Sequence, residues 1–148
     1  MGIVSLEYRY PATPEKIFDA FLDVDIASKF MFATATGHMR VAKIDPRVGG
    51  HYVFSEQRPE MGEVRHIGTY LQIDRPGRLA FTFGVPQLDP RMTTVIINIE
   101  KDHDESVLTL VQEGVLPEYI EGSKKGWACI LAGVLPAYEG FYAAGWKL

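Results

Sequence analysis

Hydrophobic and polar positions alternate with a period of two through most of the chain, and switch to a period near 3.6 at two places. Residues 3–10 set Val4, Leu6, Tyr8 and Tyr10 against Ile3, Ser5, Glu7 and Arg9, which predicts a first strand with one buried face. Pro11 ends it. Thr13-Pro14-Glu15 then supplies a hydroxyl cap, a proline where no amide partner is needed, and a carboxylate at the positive end of a helix. Ile17, Phe18, Phe21 and Leu22 form its apolar stripe, and Asp23 with Asp25 caps a second short helix over 26–30. Residues 31–37 carry no period and read as a loop.

Six further strands follow. Residues 39–44 lead into the turn Asp45-Pro46-Arg47-Val48-Gly49-Gly50, whose two glycines can take positive φ. Residues 51–56 place Tyr52, Phe54 and Glu56 on one face, and His51, Val53 and Ser55 on the other. After a polar loop over 57–63, the alternation of 67–73 predicts Ile67, Thr69, Leu71 and Ile73 as the inward set. Asp74-Arg75-Pro76-Gly77 turns the chain into Leu79, Phe81 and Phe83. A loop over 86–91 precedes Val95, Ile97 and Ile99, and a charged turn over 101–105 precedes Leu108, Leu110 and Gln112. Short connections favour neighbouring antiparallel strands in a meander.

The last segment, 119–146, returns to helical spacing. Trp127, Ile130, Leu131, Val134, Tyr138, Phe141 and Tyr142 make a bulky stripe, opposite the small residues Ala128, Cys129, Ala132, Gly133, Ala137 and Gly140. Pro136 removes a backbone donor and should kink or split this helix. The expected class is α+β, with an antiparallel sheet of about seven strands around a long C-terminal helix and two short helices after strand one. One domain over 1–148 fits the length and the lack of repeats or linkers.

Composition narrows the function. Fifteen basic against nineteen acidic residues give a net charge of -4, which leaves no electrostatic footprint for nucleic acid or an anionic membrane. No window approaches about 18 consecutive apolar residues, so no membrane span is expected. The start lacks a basic region followed by an apolar one, and a lone Cys129 suits a reducing compartment; both point to the cytoplasm.

Several motifs resemble those of one family. Pro11-Ala12-Thr13-Pro14-Glu15-Lys16-Ile17-Phe18 is similar to its opening, and Asp45 to Gly50 to its D-x-R-x-G-G turn. Gly68-Thr69-Tyr70 with Ile73-Asp74-Arg75-Pro76 resembles its strand exit, Leu79 to Phe83 the strand after it, and Gly126-Trp127 the start of its final helix. The family is the Aha1-like (activator of Hsp90 ATPase homologue-like) branch of the START/Bet v 1-like helix-grip superfamily. The resemblance implies a curved sheet gripping the last helix, with a cavity between them that often takes apolar small molecules. Where the family usually has a Trp-Trp pair, this chain has Phe30-Met31-Phe32, so Phe30 and Phe32 are expected at the cavity mouth.

The inward aromatic and aliphatic positions Tyr52, Phe54, Leu71, Phe81, Phe83, Ile97 and Leu110 are expected to line that cavity, facing Trp127, Leu131 and Tyr138 of the helix. Tyr119 and Tyr142 are further candidates for the pocket. Glu56 and Gln112 are the polar members of the inward face, and a carboxylate there could act as acid or base. Arg47 could meet a ligand carboxylate, although turn arginines more often hold a neighbouring acid. His38, His51, His66 and His103 have no second ligand at metal spacing, and His51 and His66 are expected to point outward. No nucleotide or nucleophile-elbow motif is present, so neither a cofactor nor a metal is expected. The leading expectation is a non-catalytic domain binding a small apolar molecule. Its rivals are a cyclase- or hydrolase-type enzyme with Glu56 as base and a tyrosine as donor, and a chaperone-related interaction domain. Because the small helix face is nearly free of charge, a homodimer contact through Ala128, Cys129, Ala132, Gly133 and Pro136 is also expected.

Overall fold

A computed structural model describes residues 1–142. Seven strands, β1 (Gly2–Tyr10), β2 (His38–Ile44), β3 (His51–Arg58), β4 (Gly62–Asp74), β5 (Arg78–Phe83), β6 (Thr93–Asp102) and β7 (Glu105–Val115), form one antiparallel sheet in the order β1-β7-β6-β5-β4-β3-β2. It is a meander from β2 to β7, with β1 closing beside β7. Helices α1 (Pro14–Leu22) and α2 (Val24–Phe30) follow β1, and α3 (Ile120–Ala132) and α4 (Val134–Tyr138) end the described chain. None of the helices among the described residues is long and apolar enough to cross a membrane.

The local signals act as their chemistry requires. Thr13 Oγ1 accepts from the Lys16 amide at 3.3 Å, and Asp23 Oδ1 accepts from the Asp25 amide at 3.0 Å, so each short helix begins on a side-chain cap. In the turn before β3 only Gly49 takes positive φ, at 84°. Gly50 is needed for space instead, since a Cβ there would overlap the Asp45 carbonyl. The inward sets of β1, β3, β6 and β7 are buried as the alternation predicts: Val4 and Tyr10, Tyr52 and Phe54, Val95 and Ile97, Leu108 and Leu110.

Strand β4 corrects the expected parity. Its buried positions are Val64, His66, Gly68 and Tyr70, while Leu71 lies on the outer surface with 47% exposure. The cause is register. Directly opposed residues share a face, and β3 pairs Glu56 with Val64, Phe54 with His66 and Tyr52 with Gly68. Once the β3 aromatics point inward, the even positions of β4 must do so as well. A register shift between Tyr70 and Gln72 then inverts the parity and returns Ile73 to the core side. Alternation read within β4 alone crosses this bulge unseen.

The terminal helix splits as Pro136 requires, three residues ahead of the proline at Gly133. Pro136 cannot donate to the Ala132 carbonyl, so α3 closes with the Gly133 amide on Ile130 O at 3.0 Å and α4 starts anew. Tyr138 ends α4, and Gly140 at φ 86° turns the chain away. Phe141 and Tyr142, expected in the buried stripe, are therefore more than half exposed. The remainder of that stretch, to Trp146, lies outside the described residues.

Two bonds set the depth of the helix on the sheet: Tyr10 Oη donates to Leu131 O at 2.7 Å, and Trp127 Nε1 donates to Gln112 Oε1 at 2.9 Å. Tyr52 crosses directly over Gly68 to donate from its hydroxyl to Thr82 O at 2.7 Å. A Cβ on Gly68 would collide with both the Tyr52 ring and that carbonyl. By contrast, a Cβ on Gly126, inside α3, meets nothing within 4 Å. The substitution Gly68→Ala is expected to lower stability by about 2 kcal/mol, whereas Gly126→Ala should raise it by about 0.5–1 kcal/mol. Urea denaturation of the two variants checks the pair; equal effects would contradict this account of the close approach.

Candidate ligand cavity

A cavity of about 560 Å³ lies between α3 and one end of the sheet. Phe32, Phe83, Trp127 and Ile130 give it apolar walls; Arg58, His66, Thr93 and Gln112 add polar groups; Leu88 and Tyr119, both largely exposed, stand at its opening. This volume falls within the range of pockets that hold drug-sized molecules, and the balance of apolar surface with a few polar groups is usual for them.

Phe32 is the partition between hollow and packed core. Its ring lies flat over His66 (centroids 4.6 Å, 6°) and Phe83 (4.7 Å, 8°), while Trp127 meets it nearly edge-on at 5.6 Å. Behind this partition Tyr52, Phe54 and Phe81 close on Phe21, Met31 and Tyr70, leaving no room even for water. Phe32 reaches its place by adopting φ 58°, a left-handed conformation that costs a bulky residue about 1–2 kcal/mol.

The loop that carries Phe32 is held by Glu56. Its carboxylate, 1% exposed, accepts from the Thr34 amide at 2.7 Å, from Thr34 Oγ1 at 3.0 Å and from Arg58 Nε at 2.6 Å. Gly37 packs against the same carboxylate, where a Cβ would overlap it. Both oxygens are thus engaged.

His66 is the buried polar group next to Arg58. Its Nδ1 lies 3.0 Å from Phe54 O, and a carbonyl can only accept, so Nδ1 carries the proton and Nε2 is left as an acceptor. Burial, with a smaller contribution from the Arg58 charge, lowers its pKa to about 4, so the ring is neutral at physiological pH. A second polar chain is closed on itself: Trp127 Nε1 donates to Gln112 Oε1, Gln112 Nε2 to Thr93 Oγ1 at 2.9 Å, and Thr93 Oγ1 to Phe83 O at 3.1 Å.

Of the residues singled out in the sequence, Phe32, Phe83, Gln112 and Trp127 come together on the cavity wall. Most of the others lie elsewhere. Phe30, Ile97, Leu110 and Leu131 are core, Tyr52, Phe54 and Phe81 lie behind Phe32, and Glu56 holds the loop without facing the hollow. Leu71 is on the outer surface. Tyr138 sits at the α1 side, donating to Lys16 O at 2.6 Å, and Arg47 pairs with Asp45 within its own turn at 2.9 Å. Tyr119 borders the opening, whereas Tyr142 is exposed beyond α4. His66, expected outward, is the main correction, and sequence reasoning also missed Arg58. The signal for His66 was available only through the β3–β4 register. On the small helix face, Gly133 is buried under its own chain and Cys129 borders the cavity opening.

The depressed pKa of His66 makes stability depend on pH. The unfolded ring, with its ordinary value near 6.5, binds a proton that the folded ring refuses until about pH 4. Stability is therefore complete above about pH 6.5 and falls as pH drops through that window, by about 2 kcal/mol between about pH 8 and pH 5. Asp19, Asp89 and Asp102 all have lowered pKa values and titrate below this window. Urea midpoints across that range should show the loss, and His66→Phe should flatten it; an unchanged slope in the variant would assign the loss elsewhere.

Comparison with known proteins agrees with the fold. A crystal structure of a Chromobacterium violaceum protein superposes with TM-score 0.78 at 25% identity, covering 89% of this chain and 93% of that one. The solution structure of the AHSA1-like protein from Aeromonas hydrophila gives TM-score 0.79 at 18% identity, over 94% and 93%. A Nitrosomonas europaea protein gives 0.77 at 15% identity, over 93% and 94%. No curated protein matches the chain. The sequence model described as activator of Hsp90 ATPase homolog 1-like protein matches residues 11–138, nearly the whole chain, which therefore belongs to the AHSA1-like family within the helix-grip superfamily.

Proposed function

We propose that this chain is a non-catalytic binding domain that takes one small, mostly apolar molecule into the hollow between α3 and the sheet. The observation that carries the reading is a 560 Å³ space walled by Phe32, Phe83 and Trp127 beside the closely packed aromatic core behind Phe32. A concave, mostly apolar hollow of this size with a few polar groups has the usual form of a small-molecule site, which supports the reading.

The groups that could do chemistry favour holding over reacting. Glu56 has both oxygens hydrogen-bonded and does not face the space. His66, with a pKa near 4, is a weak proton acceptor at neutral pH. Gln112 and Thr93 spend their hydrogen bonds on each other and on Trp127 and Phe83.

Titration with N-phenylnaphthylamine, a neutral apolar dye that brightens out of water, should show saturable binding with one site per chain. Gly126 lines the space and has room for a side chain. Gly126→Trp should fill it and weaken the dye at least about tenfold, while the cooperative unfolding transition is retained. No saturable uptake by the unmodified protein, together with no co-purifying molecule in native mass spectrometry, would defeat the proposal.

A further inference from the structure

Two polar groups on the cavity wall stay only partly used. His66 Nε2 presents a lone pair whose neighbour among the described residues is Arg58 Nη2 at 3.5 Å, the far limit of a hydrogen bond. Arg58 spends Nε on Glu56, and its terminal nitrogens have no other partner among the described residues. Both residues line the cavity. An acceptor and a set of donors therefore stand side by side on a wall where Thr93 and Gln112 are already bonded to each other and to Phe83 and Trp127.

That juxtaposition discriminates among ligand groups. A hydroxyl serves both partners, donating to Nε2 and accepting from the guanidinium. An ether or carbonyl can only accept, and leaves Nε2 unserved. An ammonium can only donate, and meets the Arg58 charge. A carboxylate would set its own lone pairs against Nε2, while Glu56 already balances Arg58 at 2.6 Å. At the opening, Arg91 is likewise paired, with Asp89 at 3.1 Å, so among the described residues lining the cavity no uncompensated Arg or Lys draws an anion inward. The Glu56–Thr34 bonds keep the guanidinium in this position.

We infer that the cavity selects a neutral apolar molecule bearing a hydroxyl group, which His66 Nε2 and the Arg58 guanidinium read together. The inference rests on the proposal that the hollow is a binding site, and it adds the ligand class and two specificity-determining residues.

Four compounds of matched shape test it: naphthol, methoxynaphthalene, naphthalene and naphthoic acid, each competing with bound N-phenylnaphthylamine. Naphthol, the more water-soluble, should bind at least about tenfold more tightly than naphthalene or methoxynaphthalene. In His66→Phe, which keeps a flat ring over Phe32 but has no acceptor, the ratio of naphthol to naphthalene affinity should fall to near one. Equal binding of the four, methoxynaphthalene matching naphthol, naphthoic acid binding most tightly, or naphthol keeping its advantage in the variant would each overturn the hydroxyl reading while leaving the cavity proposal standing. Failure of all four compounds and of the dye would overturn both. Should His66→Phe fail to fold, the ranking on the unmodified protein decides alone.

Discussion

A carboxylate taken out of water must be paired and hydrogen-bonded, or it takes up a proton or destabilises the structure around it. Glu56 is such a group, and the arrangement of the cavity follows from satisfying it. The bonds it accepts from Thr34 fix the loop after α2, and the bond from Arg58 fixes the end of β3. Gly37 is a glycine because the loop passes against that carboxylate with no space for a side chain. Held at Thr34, the loop has only Ala33 between that point and Phe32, and Phe32 is pressed into a left-handed conformation with its ring over His66 and Phe83. One buried charge thus sets the partition between packed core and open space, and places the guanidinium on the wall.

The same economy explains why the space persists. Stacked rings are stiff, and the Phe32–His66–Phe83 layer cannot collapse toward Trp127 without breaking the edge-on contacts that Trp127 makes with both phenylalanines. Trp127 is itself anchored through Gln112 and Thr93 to the backbone of β5. A residue first considered for chemistry therefore acts as a spacer: Gln112 holds the helix off the sheet at a defined height.

How much of this is legible in sequence depends on the range of the interaction. Caps, turns and the inward sets of β1, β3, β6 and β7 are local, and Thr13, Asp23, Gly49 and the Val95–Ile97 pair can be read from neighbours a few positions away. The face of β4 is not local. It is dictated by pairing with β3 and then inverted at the Tyr70–Gln72 bulge, so reading β4 alone exchanges His66 for Ile67 and Tyr70 for Leu71. Phe32 sits in a segment without a period and is expected at the cavity only through the family resemblance, and Arg58, in a polar loop as read from sequence, is harder still. Their placement comes from Glu56, which alternation does put inward, but whose partners lie 22 positions before and two after it.

The terminal helix carries small residues both on its nearly uncharged face and in the turns beside the cavity. Its small face carries almost no charge, which would fit a surface covered by another copy of the chain. Of that face, Cys129 borders the hollow while Ala128 is exposed, and a second set of small residues, in the first two turns of α3, lies beside it. Gly122, Ser123, Gly126 and Cys129 border the hollow, and Gly133 is buried where α3 gives way to α4. Small residues there leave volume unfilled: at Gly122 and Gly126 a Cβ would meet open space, and larger side chains would project into the site. Glycine inside a helix costs about 1 kcal/mol relative to alanine, and two such positions in the first two turns of α3 weaken the very element the sheet grips. That cost is understandable where the missing side chains are what keeps the space open, so the helix gives up intrinsic stability in the turns that face the cavity and regains it through Trp127, Ile130 and Leu131, which are buried against the rest of the chain.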